Sequence, residues 1–225
     1  MANADGSAEH KLLPTSGFDY HASYSADGNW LVFTSERAGL GQSDIYRVHP
    51  DGTGLEQLTN DPALDDQASV SPDGTQLAFV SSRKTLTTNA WLLDLKTRKL
   101  VNLMGPLAKT SEGMKPNSYF RPAWSPDGRW LAFASDRNTE WKGHGNGSGW
   151  EHVQELRVYL MKPDGSGLRQ LSRNSGCSGS PKWSPDGKRV VFYEMEVEDT
   201  WNARTSFGAA GATAQLVSVD VHTGQ

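Results

Sequence analysis

The stretch AWSPDGRWLAFASDR occupies residues 123–137, and the chain repeats its pattern three more times. The copies read ASYSADGNWLVFTSER at 22–37, ASVSPDGTQLAFVSSR at 68–83 and KWSPDGKRVVF at 182–192. Each S-x-D-G serine anchors one unit, with spacings of 46, 54 and 59 residues between the anchors Ser25, Ser71, Ser125 and Ser184. The first spacing is close to the roughly 40–45 residues of a four-stranded propeller blade, and the later ones grow by insertion.

The repeated S-x-D-G has the chemistry of a tight hairpin turn. In the third copy Pro126 presets φ, Asp127 suits the next turn position and Gly128 tolerates a positive φ. A nearly all-apolar strand follows each turn, at 30–33, 77–80, 130–134 and 189–193. Because these runs do not alternate with polar residues, we expect both faces of the strand to be buried between stacked sheets.

Two further strands complete each unit. The third strand is expected at 44–48, 90–95, 157–161 and 215–221, and the fourth, short and polar as an outer edge strand should be, at 55–59, 99–103 and 168–172. Four strands repeated radially predict an all-β propeller of antiparallel blades, with about four blades present. An α-solenoid is excluded because no stretch has helical periodicity. A β-sandwich stays open as an alternative, although it would not need a repeated motif.

The ends of the chain fall inside blades. Residues 3–14 resemble the turn and outer strand at 162–172, whereas the last unit stops after its third strand. We expect an arc of a larger propeller, although residues 8–13 could instead close a four-bladed ring by completing the last blade. The predicted segments begin with an outer strand of a preceding or closing blade at 1–14, followed by two blades without insertions at 15–60 and 61–104. A blade with an insertion follows at 105–173, and an incomplete blade with an insertion at 174–225.

Composition limits the possible partners. The net charge of −4 and pI near 5.9 give no basic face for nucleic acid, so we expect no nucleic-acid partner. No apolar run approaches the roughly 18 residues that a membrane-spanning helix needs. One cysteine, Cys177, excludes an internal disulfide framework and is expected to be a small packed residue.

The unit W-S-P-D-G-x-x-(apolar)-A-F-x-S-x-R, followed by Y-x-x-x-x-D-G-x-x-x-x-L-(S/T), resembles the TolB-like propeller repeat, a relative of WD-type repeats. The resemblance covers nearly the whole chain. It implies a periplasmic or extracellular location and a fold shared by TolB, by the propellers of prolyl-oligopeptidase-type peptidases and by oligogalacturonate-lyase-type enzymes. Because one fold hosts many functions, the resemblance leaves the function open.

Candidate site residues come from repeat symmetry. The residue four before each anchor serine is polar and differs from blade to blade: His21, Gln67, Arg121 and Ser180. In a propeller the first strand of each blade lines the central channel, so these positions are expected at its mouth. A wet channel lined with assorted polar groups would give the same pattern.

Two insertions are expected on the same face, at 138–155 and 194–214, where they join second to third strands. Their tryptophans could stack on a sugar or an extended peptide, or could pack against each other. The predicted ligand-binding set is therefore His21, Gln67, Arg121, Trp150, His152, Trp201 and Arg204.

Other motifs give weaker evidence of a functional site. His144 and His152 stand eight residues apart without a carboxylate or cysteine at ligand spacing, so no metal site or cofactor is predicted. GCSGS at 176–180 is not G-x-S-x-G, and no catalytic residue is assigned. The arginines that end the second strands, Arg37, Arg83 and Arg137, are expected to make bonds between blades.

These observations favour a non-catalytic propeller that binds protein or carbohydrate through its insert-bearing face. One alternative is a lyase-type enzyme acting on an acidic sugar, with His21 or His152 transferring a proton and Arg121 countering a carboxylate. Another is the substrate-gating propeller of a peptidase whose catalytic domain is absent.

Overall fold

A computed structural model of the protein describes residues 1–2, 4–13, 17–83, 87–104, 117–139, 155–173, 176–196 and 214–225. The described residues are all-β and contain no helix. Three antiparallel sheets have four strands and one has three, and in each the strands pair in chain order. This is the predicted arrangement of blades.

The strand bounds are as follows. Blade 1 contains β1 (Asp19–Tyr24), β2 (Leu31–Ser35), β3 (Asp44–Val48) and β4 (Glu56–Gln57). Blade 2 contains β5 (Asp65–Val70), β6 (Gln76–Ser81), β7 (Asn89–Asp94) and β8 (Leu100–Asn102). Blade 3 contains β9 (Tyr119–Trp124), β10 (Leu131–Ser135), β11 (Arg157–Met161) and β12 (Arg169–Gln170). Blade 4 contains β13 (Cys177–Trp183), β14 (Arg189–Met195) and β15 (Gln215–Asp220).

The repeated turn closes as its sequence predicts. In blade 3 the Ser125 hydroxyl donates to the Asp127 carboxylate at 2.6 Å, and Asp127 accepts the Arg129 N–H at 3.0 Å. Gly128 follows with φ of 70°, and its counterparts in the other blades have φ of 69–72°. The turn aspartates are therefore structural, and the hydrogen bond from the serine lowers the pKa of each.

The second strands form the middle of the blade stack. Every residue of β2 and β10 is buried, as are all but the first of β6. Apolar clusters fill the spaces between blades, such as the one in which Ile45 of blade 1 meets Phe79 and Trp91 of blade 2. In blade 4 the middle strand β14 is only partly buried, so the prediction of two buried faces is wrong there. Its outer face has no neighbouring blade in the described structure.

Adjacent blades pack in an arc. Their first strands meet in sequence, β1 with β5, β5 with β9 and β9 with β13, which makes them the innermost strands. Within the described ranges no comparable set of contacts joins blade 4 back to blade 1. The terminal faces accordingly leave large side chains in solvent: Tyr24 is 53% exposed and Leu216 is 83% exposed.

Tryptophans at the ends of two first strands each link their blade to the preceding one. The Trp124 indole N–H donates to the Ser69 carbonyl at 3.1 Å, and the Trp183 indole N–H donates to the Ala123 carbonyl at 3.0 Å. Each indole thus satisfies a carbonyl of the preceding blade's innermost strand. The equivalent residue of blade 1 is the exposed Tyr24.

Residues 5–13 repeat the geometry of the turn that joins a third to a fourth strand. The Ser7 N–H donates to Asp5 at 2.9 Å, just as Thr53 donates to Asp51 at 2.9 Å. Ala8 has φ of 56°, where the equivalent Gly54 has 68°. Each outer strand has a leucine that packs on the next blade along the chain: Leu58, Leu103 and Leu171. Leu12 packs on blade 1 in the same way.

The arginines that end the second strands correct one prediction, because the bonds they make lie within their own blades. Arg37 donates to both oxygens of Asp19 at 2.9 and 3.1 Å, and Arg83 donates to Asp65. The start of the first strand pairs with the end of the second, Asp65 opposite Ser81, so the arginine two residues later faces its own blade's carboxylate. In blade 3 Tyr119 replaces the aspartate, and Arg137 hydrogen-bonds its phenol.

Replacing Gly128 with alanine should destabilise the protein by about 1–2 kcal/mol, because a Cβ strains the backbone at positive φ. The added Cβ would meet only Pro72, at an ordinary 3.7 Å, so the loss in free energy of unfolding measures the backbone strain alone. Urea unfolding measures it. Gly39→Ala is the control, since Gly39 lies outside the left-handed region and should lose less than about 0.5 kcal/mol. Equal losses in the two variants would contradict the turn assignment.

Arg83→Ala should destabilise the protein by about 3–5 kcal/mol, because it leaves the fully buried Asp65 carboxylate unpaired. Arg37→Ala is the matched variant and should lose only about 1 kcal/mol, since the Asp19 side chain is 33% exposed and can be hydrated. Both losses follow from urea titrations. Adding Asp65→Asn to Arg83→Ala should restore part of the stability, and a double variant weaker than Arg83→Ala would contradict the buried-charge account.

Candidate functional site

Each first strand contains a β-bulge at the same place. Its pairing with the second strand skips, so that two residues oppose one: His21 and Ala22 in blade 1 oppose Phe33. The other three blades place the same two-residue step opposite Phe79, Phe133 and Phe192. These phenylalanines are at most 5% exposed, so the inner strand bends around a fixed core side chain.

The first residue of every bulge has a left-handed backbone although it is not glycine. These are the four residues expected at the channel mouth, here called the channel rung: His21, Gln67, Arg121 and Ser180, with φ of 51–56°. A non-glycine residue in this region costs of order 1 kcal/mol, so the bulge is imposed by the surrounding sheet. The structure therefore gives the four positions one shared backbone geometry on innermost strands.

His21 is held by a carboxylate of the next blade. Its Nδ1 lies 2.7 Å from Asp66 Oδ1, and the side chains are 32% and 11% exposed. The same oxygen accepts the Thr34 hydroxyl at 2.7 Å and the Gln67 N–H at 2.6 Å. Three donors thus converge on Asp66 Oδ1, and this bond holds the His21 ring against the next blade.

Gln67 is held in the same manner by the next blade. Its Oε1 accepts the Arg121 backbone N–H at 2.7 Å. Successive rung residues are therefore linked, blade 1 to blade 2 through His21 and Asp66, and blade 2 to blade 3 through Gln67 and Arg121. The structure brings these three predicted residues together along one row.

The Arg121 side chain is exposed, and the described residues offer its guanidinium no ion pair. Burial raises the pKa of the Tyr193 phenol, and the positive charge of Arg121 partly counteracts this, which places the guanidinium near blade 4. A Cβ on Gly179 would lie 2.5 Å from the Tyr193 hydroxyl, so this phenol covers the backbone beside Ser180.

The rung lies near the middle of the first strands, between the insert-bearing end and the S-x-D-G end. Arg121 is the third of the six residues of β9, and the S-x-D-G turn follows the last of them. The start of β9 pairs with the end of β10, from which the 138–155 insertion leaves. The other predicted ligand-binding residues lie outside the described residues: Trp150, His152, Trp201 and Arg204.

Two further features are absent from the described ranges. No group of three or more histidine, cysteine, aspartate and glutamate side chains is arranged there to hold a metal ion. No helix in those ranges is long and apolar enough to cross a membrane. Cys177 is fully buried among Ala134 and Leu156, and burial raises the pKa of its thiol, as expected for a packed residue.

Asp136 is a partly buried acid that the sequence analysis missed. It follows β10 on the insert-bearing face, and its Oδ1 accepts the Ser118 N–H at 2.7 Å. Burial raises its pKa from 3.8 to about 6, because this hydrogen bond offsets only part of the desolvation. Asp136 stands in the triplet S-D-R, and the other copies have S-E-R and S-S-R, so the sequence did not indicate that this residue has a raised pKa.

Comparison of the whole structure with solved structures agrees with this geometry. TolB from Acinetobacter baumannii superposes with a TM-score of 0.70 at 18% sequence identity, and the match covers 100% of this chain and 46% of that one. The chain has the TolB-like propeller fold. The likeness at this identity establishes the fold, and the ligand of this TolB-like propeller has to be argued from its own residues.

Two curated relatives also match. An uncharacterized peptidase of Bacillus subtilis, YuxL, is 30% identical over 165 residues, which are 64% of this chain and 22% of the relative. An uncharacterized protein of Agrobacterium fabrum, Atu1656, is 30% identical over 194 residues, which are 84% of this chain and 44% of the relative. The TolB-like propeller therefore spans less than half of either relative. No family model matches the chain.

Asp136→Asn should change how stability depends on pH. Because the folded state raises the pKa of Asp136 from 3.8 to about 6, its stabilising contribution is complete below pH 3.8 and is lost as pH rises to about 6. Relative to the asparagine variant, the parent should lose about 2–3 kcal/mol between pH 4 and pH 7. Urea unfolding at the two pH values measures this difference.

Asp127→Asn is the control of opposite sign. The Ser125 hydroxyl lowers the pKa of Asp127, so its contribution is present above pH 3.8 and is lost on acidification. Parallel stability curves for the parent and Asp136→Asn would contradict the account of the buried carboxyl.

Proposed function

We propose that the chain is a non-catalytic binding propeller whose ligand, a protein or carbohydrate, enters the channel at its insert-bearing face. The observation that carries this proposal is the channel rung. Four non-glycine residues of different chemistry stand in the same left-handed conformation on successive inner strands. Backbone strain of this kind is concentrated at binding and catalytic sites, where the side chain it presents has a use.

Packing alone does not account for the residue types of the rung. The bulge itself is set by the buried phenylalanine opposite it, and glycine would adopt the same φ with less strain. A purely structural position would therefore favour one residue, as the turn favours Gly128 and its counterparts. The rung instead presents an imidazole, an amide, a guanidinium and a hydroxyl, at positions that are half-buried or exposed.

The insertions are proposed to extend this site. Their tryptophans Trp150 and Trp201 would offer ring faces, while His152 and Arg204 would offer polar contacts. A ligand bound at the rung would meet them because both insertions join second to third strands, at the end of the blade where the first strand begins.

A second candidate function is the substrate-gating propeller of a peptidase. The observation that favours it is the 30% identical Bacillus subtilis relative, which is named an uncharacterized peptidase. In this case the same rung would meet peptides on their way to a catalytic domain. The sequence flanking this segment in its gene tests the idea: a downstream hydrolase domain with G-x-S-x-G supports it, and further blades alone contradict it.

Arg121→Ala should weaken binding of ligands found by screening the protein on peptide and glycan arrays. A loss of about tenfold or more is expected, because the guanidinium belongs to a rung residue, is exposed and makes no ion pair among the described residues. Isothermal titration of each array hit measures the change. Thermal melting should change little, since alanine at this φ is no more strained than arginine.

Arg129→Ala is the matched control. Arg129 belongs to the same blade and is 81% exposed, but it lies on the S-x-D-G face. Its loss should change affinity by less than about twofold. Hits that respond to Arg129 and not to Arg121 would overturn the proposed site, and arrays without any hit would overturn the proposed binding function.

A further inference from the structure

We infer that Asp66 is a positioning residue that keeps the His21 proton on Nδ1, so that His21 presents an unprotonated Nε2 to a carbohydrate hydroxyl. The inference deepens the proposed function and rests on it. It gives one rung residue a hydrogen-bonding role and derives the class of ligand from that role.

The tautomer of His21 follows from what its partner oxygen accepts. Asp66 Oδ1 receives the Thr34 hydroxyl at 2.7 Å and the Gln67 backbone N–H at 2.6 Å. A carboxylate that collects such donors is held in its ionised form, which only accepts hydrogen bonds. The 2.7 Å contact between this oxygen and His21 Nδ1 is therefore an N–H donated by the ring. In a neutral imidazole a proton on Nδ1 leaves Nε2 as an acceptor.

The His21 ring is held on its Nδ1 side by the protein. Asp66 belongs to the next blade, and its side chain is only 11% exposed, whereas the His21 side chain is 32% exposed. The Tyr20 ring stands at 75° to the imidazole, with centroids 5.2 Å apart. Within the described ranges no hydrogen bond is made to Nε2. The donor for this nitrogen has to come from water or from a ligand.

The carboxylate is specific to blade 2. The equivalent residues, each directly before the rung, are Tyr20, Phe120 and Gly179, so the bulge itself does not require an acid. A carboxylate on the Nδ1–H is the usual means of fixing a histidine that has to present Nε2. Asp66 therefore has a role toward His21 that packing does not explain.

An acceptor in the rung favours a carbohydrate over a peptide. The rung has an acceptor at His21 in blade 1 and a guanidinium that only donates at Arg121 in blade 3. A ligand lying along the rung has to donate and accept, and a hydroxyl does both with one atom. A carbohydrate carries hydroxyls around each ring. The tryptophans proposed for the insertions, Trp150 and Trp201, suit the same ligand because sugar rings stack on aromatic faces.

Nitrogen-15 NMR of the imidazole tests the positioning role without a ligand. At about pH 9, where a histidine ring is neutral, we expect His21 to have a protonated Nδ1 and an unprotonated Nε2. His49 is the internal standard, because its Nδ1 lies 2.8 Å from the Asn29 carbonyl, which only accepts. A proton found on Nε2 of His21 would overturn the inference whatever the protein binds.

Three variants separate positioning from a structural role. Asp66→Ala removes the acceptor, so the His21 proton should redistribute between the two ring nitrogens. Asp66→Asn should keep the proton on Nδ1, because its carbonyl oxygen can take the same three donors. Thr34→Val removes another donor to that oxygen and should change stability without changing the tautomer. An unchanged ring in Asp66→Ala would leave Asp66 a structural role only and overturn the inference.

Neutral tetrasaccharides test the ligand on the full chain. The probes are maltotetraose, cellotetraose and xylotetraose, each with its permethylated form, and Ac-Ser-Ser-Ser-Ser-NH2 as the peptide. We expect at least one tetrasaccharide to shift the His21 ring signals, with a dissociation constant of about 0.1–10 mM. Its permethylated form keeps the acceptors but donates nothing, so it should bind about tenfold more weakly.

His21→Lys tests the contact where Asp66→Ala does not fold. The ammonium only donates, so the tetrasaccharide should again bind about tenfold more weakly. Arg129→Ala, on the S-x-D-G face, serves as the unaffected control.

The outcomes separate this inference from the proposed function. A tetrasaccharide that binds as well when permethylated, or equally well to His21→Lys, would overturn the acceptor role and leave the binding propeller standing. Tighter binding of the serine peptide would overturn the choice of a carbohydrate. No shift with any tetrasaccharide up to about 50 mM would also overturn the inference, whereas the proposed function fails only if the arrays have no hit.

Discussion

The structure depends on one steric constraint, the phenylalanine that each second strand buries opposite the inner strand. Phe79, Phe133 and Phe192 pack between neighbouring blades, and Phe33 lies in the blade 1 cluster that Leu12 and Leu13 cover. Each is faced by two residues of the first strand instead of one. In all four copies the inner strand accommodates this step by a bulge that contains a left-handed residue. The channel side chains are therefore placed by a core contact several ångströms behind them.

Around this constraint the chain divides its polar bonds into two kinds. Bonds within a blade join the strands at the insert-bearing end, where Arg83 binds Asp65 and lies over the rings of Phe79 and Trp91 at 5.3 Å from each centroid. Bonds between blades lie along the inner strands, where Trp124, Trp183 and Gln67 each connect neighbours. Others lie at the outer edge, where Arg98 donates to the Gln57 carbonyl. The outer-strand leucines add apolar contact, so that each blade is bonded internally and also packed against the next.

Most of the fold could be predicted from the sequence because its signals are local and repeated. The turn Ser125–Gly128, the apolar second strands and the outer edge strands each have a composition that few other structures share. The bulge could not be predicted, because a left-handed residue usually shows as glycine and here the residues are His21, Gln67, Arg121 and Ser180. Repeat symmetry still placed them at equivalent positions of the four first strands. The direction of the arginine bonds and the burial of Asp136 depend on tertiary neighbours, which a linear pattern does not specify.

As the proposed binding site, the rung has a backbone geometry that does not depend on which side chain stands there, because four different residues share it. The side chains of His21 and Gln67 also bond to the next blade, whereas that of Arg121 is exposed. A substitution at Arg121 can therefore exchange one recognition group for another with little effect on the sheet. A duplicated blade thus brings a ready-made position for a new contact, and specificity can diverge one residue at a time while the scaffold is inherited unchanged.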